Sequence, residues 1–169
     1  GQTYDAYAIN HGRDSIDGAG MAIISTVNYD DIPGGATYQN AFWDGTQMVY
    51  GAGFSSADDV VAHELTHGVT EHESNLFYYY QSGAINESFS DVWGEFVDLG
   101  NGAGTDTALT RWQMGEDLTA FGVIRDMEDP TIYGDPDKMT SVNYSFDTSY
   151  VDNGGVHSNS GINNKAVFL

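Results

Sequence analysis

His63-Glu64-Leu65-Thr66-His67 is the run whose residue types and spacing point most directly to chemistry. Two histidines four apart on a helix project from one face, one turn apart, so their imidazoles can share a single zinc ion. Glu64 is offset from His63 by about 100° around such a helix, which sets its carboxylate beside the metal's open position. There it can take a proton from a metal-bound water. The competing reading is a helix that happens to carry two histidines and a glutamate. A catalytic zinc has three protein ligands and one open position, so a third ligand is needed. The pattern with a third histidine would need Gly at 70 and His at 73, whereas the chain has Thr70 and Glu73; His72 reads as a surface histidine. The better third ligand is Glu87, in Gly83-Ala84-Ile85-Asn86-Glu87-Ser88-Phe89-Ser90-Asp91. Asp91 follows four residues later on the same helical face, placed to orient a ligand histidine. In so acidic a chain, the competing reading of Glu87 is a solvated acidic face.

These residues need two helices. Ser55-Ser56-Ala57-Asp58-Asp59 supplies N-cap candidates and first-turn acids. From Val60 the apolar spacing is helical, with Val60, Val61, Leu65 and Val69 as a buried stripe up to about Glu73. After a loop with Tyr78-Tyr79-Tyr80 and Gly83, a second helix is expected over 84–99, with Ile85, Phe89, Val92, Trp93, Phe96 and Val97 apolar. Upstream, the residues to about Gly53 read as β structure: a strand over 21–27, then Phe42-Trp43 and residues 46–50 flanking Asp44-Gly45 as a hairpin. Residues 107–114 are expected to form a short helix, 118–155 an ordered irregular region, and a last helix to start near Ser160. The class is α+β. A β-rich part over 1–54 precedes a helical part over 55–169 that carries the metal helix at a cleft.

Composition narrows the partners. The 169 residues, 40% hydrophobic, suffice for one domain or two small lobes around a shared cleft. Twenty-five acidic residues against five Lys plus Arg give −20, which repels phosphate backbones and anionic lipid. Neither nucleic acid nor membrane is expected as a partner, and the residues 21–27 are too few to span a bilayer. The absence of cysteine removes disulfides, thiol catalysis and thiolate metal sites. With no initiating Met, an opening Gly1-Gln2-Thr3 and a helix-like ending, the chain is expected to be an internal piece of a longer, processed protein.

The stretch from Val60 to Asp91 resembles the thermolysin-like zinc metallopeptidases. Asn40-Ala41-Phe42-Trp43 upstream and Asp152-Asn153-Gly154-Gly155-Val156-His157-Ser158-Asn159-Ser160-Gly161 downstream match the same family in order and approximate spacing. The resemblance implies that His63, His67 and Glu87 hold zinc and that Glu64 is general base and proton shuttle. It gives His157 and Tyr78 as donors to the oxyanion, with Asp152 orienting His157 and Asp91 orienting His63. It makes Arg125 a ligand of a substrate carbonyl, and Asn40 with the carbonyl of Ala41 the hold on the peptide main chain. Val60, Met114 and Ile124 match the apolar positions of the S1′ pocket. The implied activity is a secreted, monomeric zinc endopeptidase that cleaves peptides and proteins on the amino side of bulky hydrophobic residues.

The resemblance also implies calcium at Asp59, Asp98 and Glu116, hard oxygen ligands from three separated segments. Arg111 stands where the family usually has an acidic calcium ligand, so one calcium is expected. No carboxylate lies between Asp117 and Asp126, which argues against a further ion there. Residues 54–58 are fewer than usual in the family, and the family's catalytic regions usually extend further at both ends. Two other classes compete with this one. A zinc aminopeptidase would carry a Gly-x-Met-Glu-Asn motif, which is missing; an acidic calcium-binding module with a structural or vestigial zinc site would need neither Glu64 nor His157, Tyr78 and Arg125. Serine-hydrolase and P-loop patterns are also missing.

Overall fold

The computed structural model describes residues 1–31, 37–105, 107–146 and 151–169, and of Val151 the backbone only. Residues 147–150, part of the expected irregular region, lie outside the described ones. The chain opens with helix α1, Gln2–His11, which corrects the expectation of β structure from the start. This helix has little apolar periodicity of its own. It is tied down by tertiary contacts: the Tyr7 hydroxyl lies 2.8 Å from Thr66 Oγ1, and His11 stacks on Trp93 at 5.6 Å.

Strands β1 (Ser25–Tyr29), β2 (Ala41–Trp43) and β3 (Met48–Gly51) form one sheet in the order β1-β3-β2. β1 runs parallel to β3, with Ser25 opposite Met48, and β2 runs antiparallel, with Phe42 opposite Val49. The expected hairpin is therefore present, but its loop is the four residues 44–47. The Asp44 carboxylate accepts the Thr46 and Gln47 amides and closes that loop. The strand expected over 21–27 starts only at Ser25. Before it, Asp17 Oδ1 accepts the Ala19 and Met21 amides and Ser15 donates to the Met21 carbonyl, which holds the chain in a turn instead.

Helix α2, Asp58–Glu73, packs its Val60, Leu65 and Val69 stripe on the sheet, into a core with Ile16, Met48, Tyr50, Phe54 and Leu118. Its cap residue is Ala57, with no side-chain cap; the Asp59 carboxylate accepts the Val60 amide, an anion at the positive end of the helix. Helix α3, Tyr80–Asn101, begins four residues earlier than expected and lies along α2. Gly83 therefore falls inside it. A Cβ there would stand 2.4 Å from Val156 Cγ1, so only glycine lets the segment bearing His157 sit this close to α3. Of the α3 positions read as apolar, Val92 and Val97 are buried, whereas Ile85, Phe89 and Phe96 are exposed, on an open face shared with Ala166 and Val167.

Residues 107–111 form turns, not the expected helix, because the Thr107 and Thr110 hydroxyls bond the local backbone. Strand β4, Gln113–Met114, follows and pairs antiparallel with β5, Arg125–Asp126. That pairing brings Arg125 beside Met114 at the cleft. Short helices α4, Val156–Asn159, and α5, Gly161–Phe168, end the chain where a last helix was expected. None of the described helices is long and apolar enough to cross a membrane. The architecture is α+β, with the sheet ahead of the helical part.

Candidate metal centre

One face of α3 sets the electrostatics of the interior. Glu87, Asp91, Glu95 and Asp98 recur at helical spacing, and all four are buried. Four carboxylates in a helix interior need compensating positive charge or protons. The upper two find histidines and an arginine.

His63 and His67 approach from α2, one turn apart as their spacing dictates. Their Nε2 atoms are 3.0 Å apart, and Glu87 lies 3.5 Å from the first through Oε2 and 3.3 Å from the second through Oε1. Among the described residues this is the one group of three such side chains whose donor atoms all lie within 4.8 Å of one another. Bonds of about 2.0–2.2 Å to zinc in tetrahedral geometry separate neighbouring ligand atoms by about 3.3–3.5 Å, a range that holds both nitrogen–oxygen separations and lies slightly above the nitrogen–nitrogen one, so the trio can close around zinc. Glu87 Oε2 is buried and accepts no hydrogen bond, an orphan that a cation would satisfy. Burial opposes charge on His63, yet Asp91 and Glu87 override it and push the imidazole up to about 10, so the pocket itself calls for positive charge.

Each histidine of the trio is held from behind. His63 Nδ1 lies 2.8 Å from Asp91 Oδ1, and His67 Nδ1 lies 2.8 Å from Asn86 Oδ1. Asp91 also accepts from Arg125, through Nε at 2.9 Å and Nη2 at 2.6 Å, and from Asn164 Nδ2 at 2.7 Å. Burial would raise its pKa, but Arg125 and His63 hold it well below the usual carboxylate range. Arg125 is thus paired with Asp91, not with its neighbours Asp126 or Glu128, and Nη1 is left without a hydrogen bond among the described residues.

Glu64 is buried, 6% exposed, and no described residue hydrogen-bonds its carboxylate. Burial raises its pKa, against the opposing charges of His63 and His67. Tyr78 and His157 arrive from opposite sides: the Tyr78 hydroxyl donates to Glu87 and lies 3.2 Å from His157 Nε2, which is itself 3.4 Å from Glu87 Oε1. His157 Nδ1 pairs with Asp152, which also accepts the His157 amide and whose φ of 55° lies in the left-handed region. Burial lowers the His157 pKa, but Glu87 and Asp152 outweigh it and raise it; burial also raises that of Tyr78, so both remain donors.

Of these groups, His63, Glu64, His67, Tyr78, Asn86, Glu87, Arg125 and His157 border one cleft of about 660 Å³. Asn40 and Ala41 line its sheet side; Val60, Met114 and Ile124, read as an apolar pocket, line it together with Phe54. Sequence reasoning missed Phe54, Asn86 and Glu71. Asn86 directly precedes Glu87, but nothing in its type marks it as the partner of His67.

A second acidic neighbourhood lies further along α3. Asp59, Asp98 and Glu116 come near one another there, joined by Glu95, which sequence reasoning missed although it continues the 87–91 spacing. Asp59 accepts the Val60 and Gly115 amides, and Glu95 accepts the Trp112 amide. Glu95 Oε1 and Glu116 Oε2 are buried without hydrogen bonds. Burial and mutual repulsion push Asp59 up to about 6, Glu116 to about 7 and Glu95 to about 9. Arg111 makes no ion pair with them among the described residues.

Comparison with known proteins agrees with this geometry. Residues 1–71 match the family described as "Thermolysin metallopeptidase, catalytic domain", and 74–169 match "Thermolysin metallopeptidase, alpha-helical domain". Bacillolysin of Bacillus cereus is 46% identical over all of this chain, and a zinc metalloproteinase of Renibacterium salmoninarum is 48% identical over 94% of it. The chain spans 29% and 30% of those two proteins. The solved precursor of protealysin, a metalloproteinase from Serratia proteamaculans, is 38% identical with a TM-score of 0.78, over 99% of this chain and 55% of that one. Two helices that bring His63, His67 and Glu87 together, beneath a cleft edged by Asn40 and Ala41, place the chain in the thermolysin metallopeptidase family.

Proposed function

We propose that this chain carries the catalytic cleft of a secreted zinc metalloendopeptidase. The carrying observation is the trio His63, His67 and Glu87 with Glu64 buried beside it, unpaired, in the same cleft. The trio would hold zinc, whose Lewis acidity polarises a water and the scissile carbonyl. Glu64 takes the water's proton as base and returns it to the leaving amine. Its burial favours this, because a carboxyl with a raised pKa is a stronger base and a more competent donor near neutral pH. His157 and Tyr78 donate hydrogen bonds to the oxyanion, with Asp152 steadying His157 and Asp91 steadying His63. Arg125 Nη1 reaches a substrate carbonyl. Asn40 and the Ala41 carbonyl hold the peptide main chain, and Val60, Met114 and Ile124 receive a bulky apolar side chain on the primed side. Substrates are peptides and proteins, and the active form is a monomer.

One structural calcium at Asp59, Asp98 and Glu116 belongs to the same reading, supported by two buried oxygens in that neighbourhood, Glu95 Oε1 and Glu116 Oε2, that accept no hydrogen bond among the described residues. We also divide the chain functionally into the β-rich lobe 1–54 and the helical part 55–169, which meet at the cleft.

The test is cleavage of a peptide blocked at both ends, with one central Gly-Leu bond, in zinc and calcium. Cleavage before leucine is expected, with Glu64→Gln retaining zinc and losing at least about a thousandfold in rate. Unchanged activity in Glu64→Gln would refute the assignment of the base.

A further inference from the structure

Trp43 closes the Asn40-Ala41-Phe42-Trp43 run and lines the cleft without touching the metal trio. It ends β2, an edge strand whose one neighbour in the sheet is β3. Only three residues long, β2 has little pairing of its own to fix its distance from the metal helix. Two contacts supply that. The Trp43 indole lies over Gly68, directly after His67: a Cβ there would stand 3.2 and 3.3 Å from two indole atoms. Its Nε1 donates to Glu71 Oε2 at 2.7 Å, on α2 one turn beyond His67. Both residues line the cleft. A rigid aromatic plate and a charge-assisted hydrogen bond thus connect the strand that starts at Ala41, directly after Asn40, to the helix bearing His63 and His67.

We propose that Glu71 is a positioning residue: through Trp43 it sets the gap between edge strand β2 and the metal helix, and so the strength with which the cleft grips an extended peptide backbone. This rests on the endopeptidase reading. Glu71 touches neither the metal trio nor Glu64, so it acts on binding throughout the reaction and not on the chemical step. Loosening it raises KM and leaves kcat in place.

Glu71→Leu is expected to raise KM for the blocked peptide about three- to tenfold with kcat within about twofold, the range set by one hydrogen bond. Glu71→Gln should stay within about twofold of the parent, because its amide oxygen still accepts the indole N–H. Trp43→Phe should match Glu71→Leu, and the double variant should be no worse than either single one. Zinc affinity and Tm should not move. The same peptide is also titrated, by fluorescence anisotropy, against zinc-loaded Glu64→Gln with and without the Glu71 substitutions. This binding arm decides the inference even where the parent cleaves nothing, an outcome that refutes the endopeptidase reading alone. An unchanged KM and Kd in Glu71→Leu overturns the proposal. So does Glu71→Gln as weak as Glu71→Leu, or a loss that falls on kcat or zinc affinity instead.

Discussion

Asp91→Asn is the substitution that most sharply tests the buried network. The change keeps side-chain shape and removes one charge. Among the described residues, Asp91 is the carboxylate that bonds Arg125 Nε and Nη2, and it also contacts His63 Nδ1 and Asn164. An asparagine offers one acceptor oxygen to four donors and turns an N–H₂ toward the rest. Removing one partner of a buried pair costs about 3–5 kcal/mol. Arg125 keeps one acceptor and some solvent contact, so the low end, about 3 kcal/mol, applies. At this chain length that is roughly 6–12 °C in Tm. Loss of a partner behind a ligand histidine costs about 10- to 100-fold in metal affinity. Denaturant unfolding in EDTA measures the first effect, and zinc titration against a competing chelator the second. The pH dependence has a definite sign. The Asp91 pKa is depressed in the fold, so its stabilisation is present above the unfolded value of about 4 and is lost as pH falls below it. The gap between parent and variant must therefore narrow in acid. A loss under about 1 kcal/mol, with zinc affinity within threefold, would refute the network as described.

Three further outcomes are expected. In EDTA, the unfolding midpoint should fall as pH rises from about 5 to 9, because Asp59, Glu116 and Glu95, raised to about 6, 7 and 9, favour their neutral forms in the fold. Millimolar calcium in excess of the chelator should flatten that slope; a slope unchanged by this free calcium would argue against the ion. Gly83→Ala should destabilise despite a helix-propensity gain of about 0.5–1 kcal/mol, since the new methyl would meet Val156 Cγ1, and overpacking costs about 1–3 kcal/mol. Its kcat should fall as well, because Tyr78 and His157 flank the intrusion. Tyr7→Phe, which removes a buried hydroxyl contact with Thr66, should cost about 1 kcal/mol in chemical denaturation and leave zinc affinity alone.

The metal trio was legible because its information is local: histidines four apart on one helix, and a glutamate with an acid four residues on. The hairpin and both long helices carried equally local signals. What stayed hidden depends on burial. Glu95 and Glu71 are two acids among twenty-five. Only the packed structure separates the first, sealed beside Asp59, from the second, bonded to an indole. Helix α1 was missed because its Thr3 and Tyr7 are the buried residues while Ile9 is 80% exposed, so its stability comes from partners distant in sequence. The turn after Thr107 escaped for a further reason: threonine hydroxyls competed with the helix ladder, a contest that composition does not decide.

The open apolar face of α3, with Ile85, Phe89 and Phe96 bared next to Val167, bears on how copies of this chain behave in bulk. Such a surface is adhesive at contact, while a charge of −20 repels at a distance. The colloidal balance is therefore one of range. At physiological ionic strength the repulsion reaches about 8 Å, and in molar salt about 3 Å, less than the depth of a phenylalanine ring. A brine that leaves every internal contact intact would thus remove the barrier that keeps these greasy faces apart.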